Sequence, residues 1–355
     1  MKNFFLLFIV SILISCNSKD SNKITIDLNN DYDHIKYSSF IDSLSYITLN
    51  TNDSCLISGI INVYKDGDTL LIRDDKRGGI FIFTINGEFI KQINYYGQGP
   101  HEFSRIGAFA IDTIFNHICI YDSGSQKINK YDYKGNFIKS TLIDYIFRDF
   151  AVMDDNYLFI MPTHMGDYQP SGIWLSDSYN NVIKTLKNDV PEKDRFAFIF
   201  INYNYSINGI YYYDRNRDDY SFITKDSSSI LYEFYLKQRV PSSVRKRSDP
   251  QPEKLVGHAM MAAFSNSNKY IALTYYTFGI DNPFKWVLIN KEEETVQVSS
   301  KLLNDIDDIQ SSQNYLYYIN DNVWCRMLDT EENNCDITLQ FLYLKGDKFN
   351  FSLEK

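Results

Sequence analysis

The stretch Leu70-Leu71-Ile72-Arg73-Asp74, continued by Ile80-Phe81-Ile82-Phe83 and Asn86-Gly87-Glu88-Phe89-Ile90-Lys91, recurs later in the chain. Its second copy is Ile118-Cys119-Ile120-Tyr121-Asp122, Ile128-Asn129-Lys130-Tyr131 and Lys134-Gly135-Asn136-Phe137-Ile138-Lys139. The two copies run in step without a gap, 48 positions apart, as Gly87 and Gly135 show. A fixed period of this size is the mark of a repeat architecture. Short runs of β-formers parted by Asp, Gly and Asn turns predict a four-stranded antiparallel meander, the blade of a β-propeller. Fainter copies follow at Tyr157 to Met161, Ile173 to Asp177 and Asn181 to Leu186; at Ile210 to Tyr213, Tyr220 to Thr224 and Ile230 to Tyr235; and at Tyr270 to Tyr275, Lys285 to Asn290 and Glu294 to Ser299. A last set is Tyr315 to Ile319 and Ile337 to Leu344. At this period residues 44–355 would hold six or seven blades. The segment Lys237 to Met260, with Pro241, Pro250 and Pro252, reads as an inter-blade insertion, so six is the expected number.

Outward from the repeat, the N-terminus carries an address. Phe4 to Ile14 is an apolar run behind Lys2, suited to the hydrophobic core of a signal peptide and too short to cross about 30 Å of hydrocarbon as a helix. The run closes on Leu13-Ile14-Ser15-Cys16, which resembles the bacterial lipobox. The expected organisation is a lipoprotein signal peptide over 1–15, a lipid anchor on Cys16 with a spacer over 16–43, and a propeller over 44–355. Several acyl chains, at about 0.8 kcal/mol per buried methylene, hold a chain firmly to a membrane. Export permits disulfides, and Cys325 and Cys335 are near enough in sequence to meet across a hairpin. Cys119 reads as a small buried apolar residue, and the chain has no Cys-x-x-Cys.

Composition agrees with an all-β fold. Of 355 residues 44% are hydrophobic and 16% aromatic, and large flat side chains pack well on pleated faces. A net charge of −9 offers no field for a phosphate backbone, so no nucleic-acid partner is expected.

The run Gly97-Gln98-Gly99-Pro100-His101-Glu102-Phe103, then Phe109-Ala110-Ile111-Asp112, Ile118 to Asp122, Tyr131-Asp132 and Gly135-Asn136-Phe137, resembles the NHL repeat. Over roughly residues 44 to 345 the chain looks like the six-bladed β-propeller lipoproteins of Gram-negative envelopes. That resemblance implies an outer-membrane, lipid-anchored monomer facing the periplasm or the surface. It also implies that an N-terminal strand, here Leu44 to Leu49, completes the last blade and closes the ring.

In a propeller, the loops between second and third strands and the connections between blades lie on one face around the central channel, where ligands bind. The candidate ligand-binding residues expected there are Tyr96, His101, Glu102, Arg105, His164, Tyr168 and Tyr276. Glu102 has an alternative task, satisfying backbone amides within its own turn. Trp174 and Trp286 read as packing between blades. The acidic clusters Asp74-Asp75, Asp218-Asp219 and Asp305-Asp307-Asp308 lack the pattern of a calcium loop and read as solvated turns. No nucleophile elbow, His-Glu-x-x-His or phosphate loop occurs, and no catalytic or metal-ligating residue and no cofactor can be named from motifs. The expected function is therefore a non-catalytic binding or scaffold propeller recognising a glycan, a peptide or an envelope protein. The competing expectation is a metal-dependent hydrolase or lyase of the lactonase or amidating-lyase kind. Its channel calcium or other divalent ion would be held by carboxylates and Asn from separate blades.

Overall fold

The computed structural model describes residues 22–51, 55–74, 79–154, 156–161, 172–188, 203–206, 208–214, 217–245, 252–328 and 337–346. Six four-stranded antiparallel blades stand in a ring. The first blade is built from Ile60–Asp66, Thr69–Asp74, Ile80–Thr84 and Phe89–Ile93, and the second from Ile106–Asp112, His117–Asp122, Lys127–Asp132 and Phe137–Leu142. The third comprises Asp149–Met153, Asn156–Met161, Gly172–Ser176 and Val182–Lys187, and the fourth Tyr203–Ser206, Gly209–Asp214, Asp219–Ile223 and Ser228–Leu236. Ala259–Asn266, Tyr270–Thr277, Phe284–Asn290 and Thr295–Ser299 form the fifth. The sixth takes Tyr317–Asn320, Val323–Met327 and Ile337–Leu344 from the C-terminal part and its outermost strand, Ile41–Leu49, from the N-terminus. Ring closure is thus the strand pairing expected from the sequence, in the register Ile337 to Leu49 and Leu342 to Leu44. It leaves no open sheet edge at the seam.

Two expectations are corrected. The segment read as spacer is, from residue 22 on, part of the fold. Asn22–Ile26 adds a parallel fifth strand to the outer edge of the fourth blade, and Ile35–Lys36 pairs with Leu302–Leu303 beside the fifth. The reason is burial: Ile26 and Leu28 fill the seam between the fourth and fifth blades, with Ile24 packed against it. The insertion ends at His258, because Ala259 and Met260 belong to the innermost strand of the fifth blade. Its described part holds short helical turns at Ser242–Arg245 and Pro252–Lys254 around a small core of Val240, Val244 and Leu255.

The repeat has a structural meaning that the sequence did not disclose. The buried Asp74 accepts hydrogen bonds from the amides of Ser58 and Gly59 and from the Ser58 hydroxyl. Its counterpart Asp122 accepts from the amides of Ser104, Arg105 and Gly124 and from the Ser104 hydroxyl. Each carboxylate pins the chain entering its own blade. Burial alone would push the Asp122 carboxyl up, but the hydrogen bonds from Ser104, Ser125 and Arg105 outweigh it and hold the group below its ordinary value. Asp74, Asp218 and Asp219 are therefore not solvated. Asp218 takes the Tyr213 hydroxyl at 2.7 Å and the Arg239 guanidinium at 2.6 Å, and Asp219 takes the Lys187 ammonium at 2.7 Å. Asp75 lies outside the described residues.

In the first three blades the hairpin between third and fourth strands docks the blade on its predecessor. Asn50 donates its amide to Gly87 O, the Tyr95 hydroxyl donates to Gly135 O, and the Tyr145 hydroxyl to Asn180 O. At Gly87 the approach is so close that a Cβ would lie 1.9 Å from Thr48 O, with φ at +82°. Between blades the seams are apolar. Trp174 packs among second- and third-blade residues, and Trp286 packs in the cluster joining the fifth and sixth, as expected. Cys55, Cys119 and Cys325 are buried and unbridged among the described residues, and Cys335 lies outside them.

Candidate functional site

The innermost strand of every blade has one edge paired within its sheet and the other turned to the channel, where backbone groups need partners. Side chains from neighbouring blades supply them. The Tyr317 hydroxyl donates to Ile60 O in the first blade, the Arg73 guanidinium to Ile106 O in the second, and the Tyr205 hydroxyl to Val152 O in the third. Asn204 of the fourth blade donates to Phe264 O and accepts the Asn266 amide, both in the fifth, and Ser265 donates to Leu316 O next to the sixth. Each of these caps satisfies a backbone group at the channel edge and joins two blades at once.

Inside this ring lies a cavity of about 960 Å³. Three segments line it along their whole length: residues 59–66, 203–206 and 313–321. The fifth blade adds Ala262 to Phe264 and Phe284, and the second adds Ile111 and Thr113. Aromatic rings dominate the wall, from Tyr64, Tyr203, Tyr205, Tyr315, Tyr317 and Tyr318. Between them stand neutral polar side chains such as Asn62, Asn314 and Asn320. The charged side chains in the lining are already engaged: Lys65 donates to Gly67 O, Asp66 accepts the Tyr133 hydroxyl, and Asp321 accepts Tyr318 at 2.8 Å and Ser206 at 3.3 Å. Just behind the wall, the Asp149 carboxyl hydrogen-bonds Tyr203, which in turn hydrogen-bonds Tyr64. Burial pushes Asp149 up to about 6, against the pull of Tyr203 and Arg73. Among the described residues, no group of three or more His, Cys, Asp or Glu is placed to hold a metal ion.

The residues singled out in the sequence lie elsewhere. The Gly97 to Arg105 loop is laid along the flank of the second blade, with His101 O accepting the Tyr131 hydroxyl and the His101 ring 4.3 Å from that of Phe137. Those partners sit on the third and fourth strands, away from the channel. Glu102 does serve its own turn: its carboxylate accepts the Gly99 amide at 2.8 Å and fills the space where a Cβ on Gly97 would stand. Tyr96 is exposed with its ring edge-on to Phe103, and Arg105 is exposed with its amide on Asp122. Tyr276 is half-buried and reaches the cavity indirectly, its ring 5.4 Å from that of Phe284. His164, Tyr168 and Cys16 lie outside the described residues. The lining tyrosines were not singled out. Their signal was the run Tyr203-Asn204-Tyr205-Ser206 and the trio Tyr315, Tyr317 and Tyr318, polar-aromatic where other blade strands are Ile- and Leu-rich.

Comparison with known families gives a match to Domain of unknown function (DUF4934) over residues 23–334. The chain belongs to the DUF4934 family. Its match runs from the N-terminal fifth strand into the sixth blade, so the family's domain covers the propeller up to the strand Ile337–Leu344. Among solved structures, this DUF4934 member is similar to a Bacteroides fragilis NCTC 9343 protein whose name says only that it is exported. The two are 16% identical, 92% of this chain and 100% of that one are covered, and the TM-score is 0.72. A member of the DUF4221 family from Bacteroides vulgatus ATCC 8482 is similar at 10% identity, covering 86% and 97% of the two chains with a TM-score of 0.51. Identities this low carry the fold. No curated protein matches the chain.

Proposed function

We propose that this DUF4934 protein is a non-catalytic binding propeller of the cell envelope, taking a glycan, a peptide or a segment of a partner protein into its channel. The observation that carries the reading is the aromatic, amide-lined cavity on the ring axis, whose volume falls within the range of small-ligand sites. Tyr276, whose ring lies 5.4 Å from that of the lining Phe284, is proposed as a secondary contact, as are His164 and Tyr168, whereas Tyr96, His101 and Arg105 lie along the second blade and are left out of the site. Immobilised glycan and peptide libraries test the reading. A ligand whose binding is lost on filling the channel supports it, and a ligand indifferent to that change refutes it.

The envelope address rests on the lipobox at Cys16 and accords with the exported relative. No helix among the described residues is long and apolar enough to cross a membrane. A lipid on Cys16, six residues before Asn22, would hold the outer edge of the fourth blade within about 20 Å of the bilayer. Intact mass and detergent partitioning decide it: the parent should carry acyl mass and enter the detergent phase, and Cys16→Ser should do neither. One observation favours the hydrolase or lyase alternative, the Asp149 carboxyl raised to about 6 against Tyr203 in the channel wall. Turnover of lactone or uronic-acid substrates that is lost in Asp149→Asn would establish it.

A further inference from the structure

Resting on the reading of the channel as a binding site, we infer that its occupant is a neutral, linear oligosaccharide held in single file. The first argument is shape. The seven-residue strand Ile60–Asp66 lines the cavity from end to end. At about 3.3 Å per residue it spans roughly 20 Å. The cavity of about 960 Å³ follows that strand, so an extended chain of this length can lie along it.

The second argument is what the wall has left to offer. Tyrosine hydroxyls that could bind a ligand are used on protein: Tyr205 on Val152 O, Tyr317 on Ile60 O and Tyr318 on Asp321. The Tyr317 ring is buried in the core between the sixth and first blades, but those of Tyr64, Tyr205, Tyr315 and Tyr318 stay partly exposed, flat apolar surfaces against which the C–H faces of a sugar can lie. The charged side chains in the lining, Lys65, Asp66 and Asp321, are of both signs and each already hydrogen-bonds a neutral group of the protein, so the wall presents no block of one charge to an ionic ligand. Neutral amides at Asn62, Asn314 and Asn320 suit hydroxyl groups, which need donors and acceptors together.

The third argument separates a sugar chain from a peptide. An extended peptide in such a channel gains most by adding to an open strand edge. Here one carbonyl on each of four such edges, at Ile60, Ile106, Val152 and Phe264, already accepts from a side chain of a neighbouring blade, which interrupts the ladder a peptide would build. A sugar chain asks for no such edge.

The test is a calorimetric and array panel of neutral linear hexasaccharides of glucose, mannose and xylose in several linkages, beside oligogalacturonate and an extended-peptide library. The protein is used with its tether intact and in two variants. Tyr315→Ala removes a ring that makes no backbone cap, and Ala263→Trp fills the channel from the fifth blade. A neutral hexasaccharide should bind the parent, lose about tenfold or more in affinity with Tyr315→Ala, and not bind Ala263→Trp. Both variants should melt within a few degrees of the parent, and if Ala263→Trp does not fold, Tyr315→Ala decides. Capture of oligogalacturonate or a peptide with the same sensitivity to the variants overturns the ligand class while the channel stands as the site. A neutral sugar bound equally by parent and variants overturns the channel itself. Absence of binding to every neutral sugar in the panel overturns the inference.

Discussion

The second blade and the channel wall use polar side chains in opposite ways. In the second blade Asp122, Glu102, Asn129 and Asp132 bond to backbone at most 27 positions away, inside the repeat that contains them. In the channel wall Tyr205, Tyr317, Asn204 and Ser265 reach partners 51 to 257 positions away, in other blades. The first kind of contact repeats along the chain because each blade must solve the same local problem. The second kind varies in residue type from blade to blade, Tyr, Asn or Ser, although each pair likewise joins two neighbouring blades. What recurs in this sequence is scaffold, and the surface available to a ligand is made of residues that do not recur.

Five changes would sharpen or break that contrast. The largest effect is expected for Gly87→Ala, because the added Cβ meets the Thr48 carbonyl at 1.9 Å in a backbone conformation of φ +82°. Denaturant unfolding should show a loss of about 3 kcal/mol or more. Near-parental stability would mean that the hairpin is not tightly docked on the closing strand.

Asp122→Ala orphans several buried donors and should cost about 2 to 3 kcal/mol at neutral pH. The folded-state value of this carboxyl is lowered, so its contribution is complete above the ordinary carboxylate range and fades as pH falls through the folded value. Parent and variant should therefore converge in acid, and a gap that persists there would assign the loss to packing.

Tyr205→Phe leaves Val152 O without its cap and should cost about 1 kcal/mol, with Tyr317→Phe alike at Ile60 O. Asp149→Asn should change the shape of a pH profile more than its height. With the folded value at about 6, the folded state holds more protons than the unfolded one between about pH 4 and 6, so parental stability falls as pH rises through that window. The variant should be flat there and melt higher than the parent at pH 7. A flat parental profile would place the Asp149 carboxyl in ordinary solvent. The smallest effect belongs to Tyr96→Ala on the exposed loop, within about 0.5 kcal/mol by unfolding and with less loss of ligand affinity than Tyr315→Ala.

Much of the framework was legible for the reason just given. The 48-residue offset between Gly87 and Gly135 stood for a hairpin that both blades need, and Asp74 and Asp122 stood for the same anchoring of an incoming chain. The closing strand at Leu44 to Leu49 was implied by the family resemblance, and the packing roles of Trp174 and Trp286 by the need of blades to pack on one another through large side chains. The innermost strands of the first, third, fourth and fifth blades were not seen. Tyr203–Ser206 faces a polar channel on one edge and a sheet on the other, so it carries no run of aliphatic residues and no clean alternation. The N-terminal strand Asn22–Ile26 was hidden by its shortness and by the polar residues before it.

The sequence by itself determined the blade, its period and the turns between its strands, because those depend on hydrogen bonds and packing within some fifty neighbouring residues. Ring closure was implied by the family resemblance rather than by spacing, and the pairing of Ile41–Leu49 with Ile337–Leu344 realises it. Only the tertiary structure decided where a ligand can go. Whether the Gly97 to Arg105 loop overhangs the channel or lies along the second blade turned on the contacts of Tyr131 and Phe137 with His101, which residue spacing does not encode. Whether a tyrosine offers its hydroxyl or its ring turned on which carbonyl of another blade stood within reach, and that distance exists only once the six blades are set around one axis.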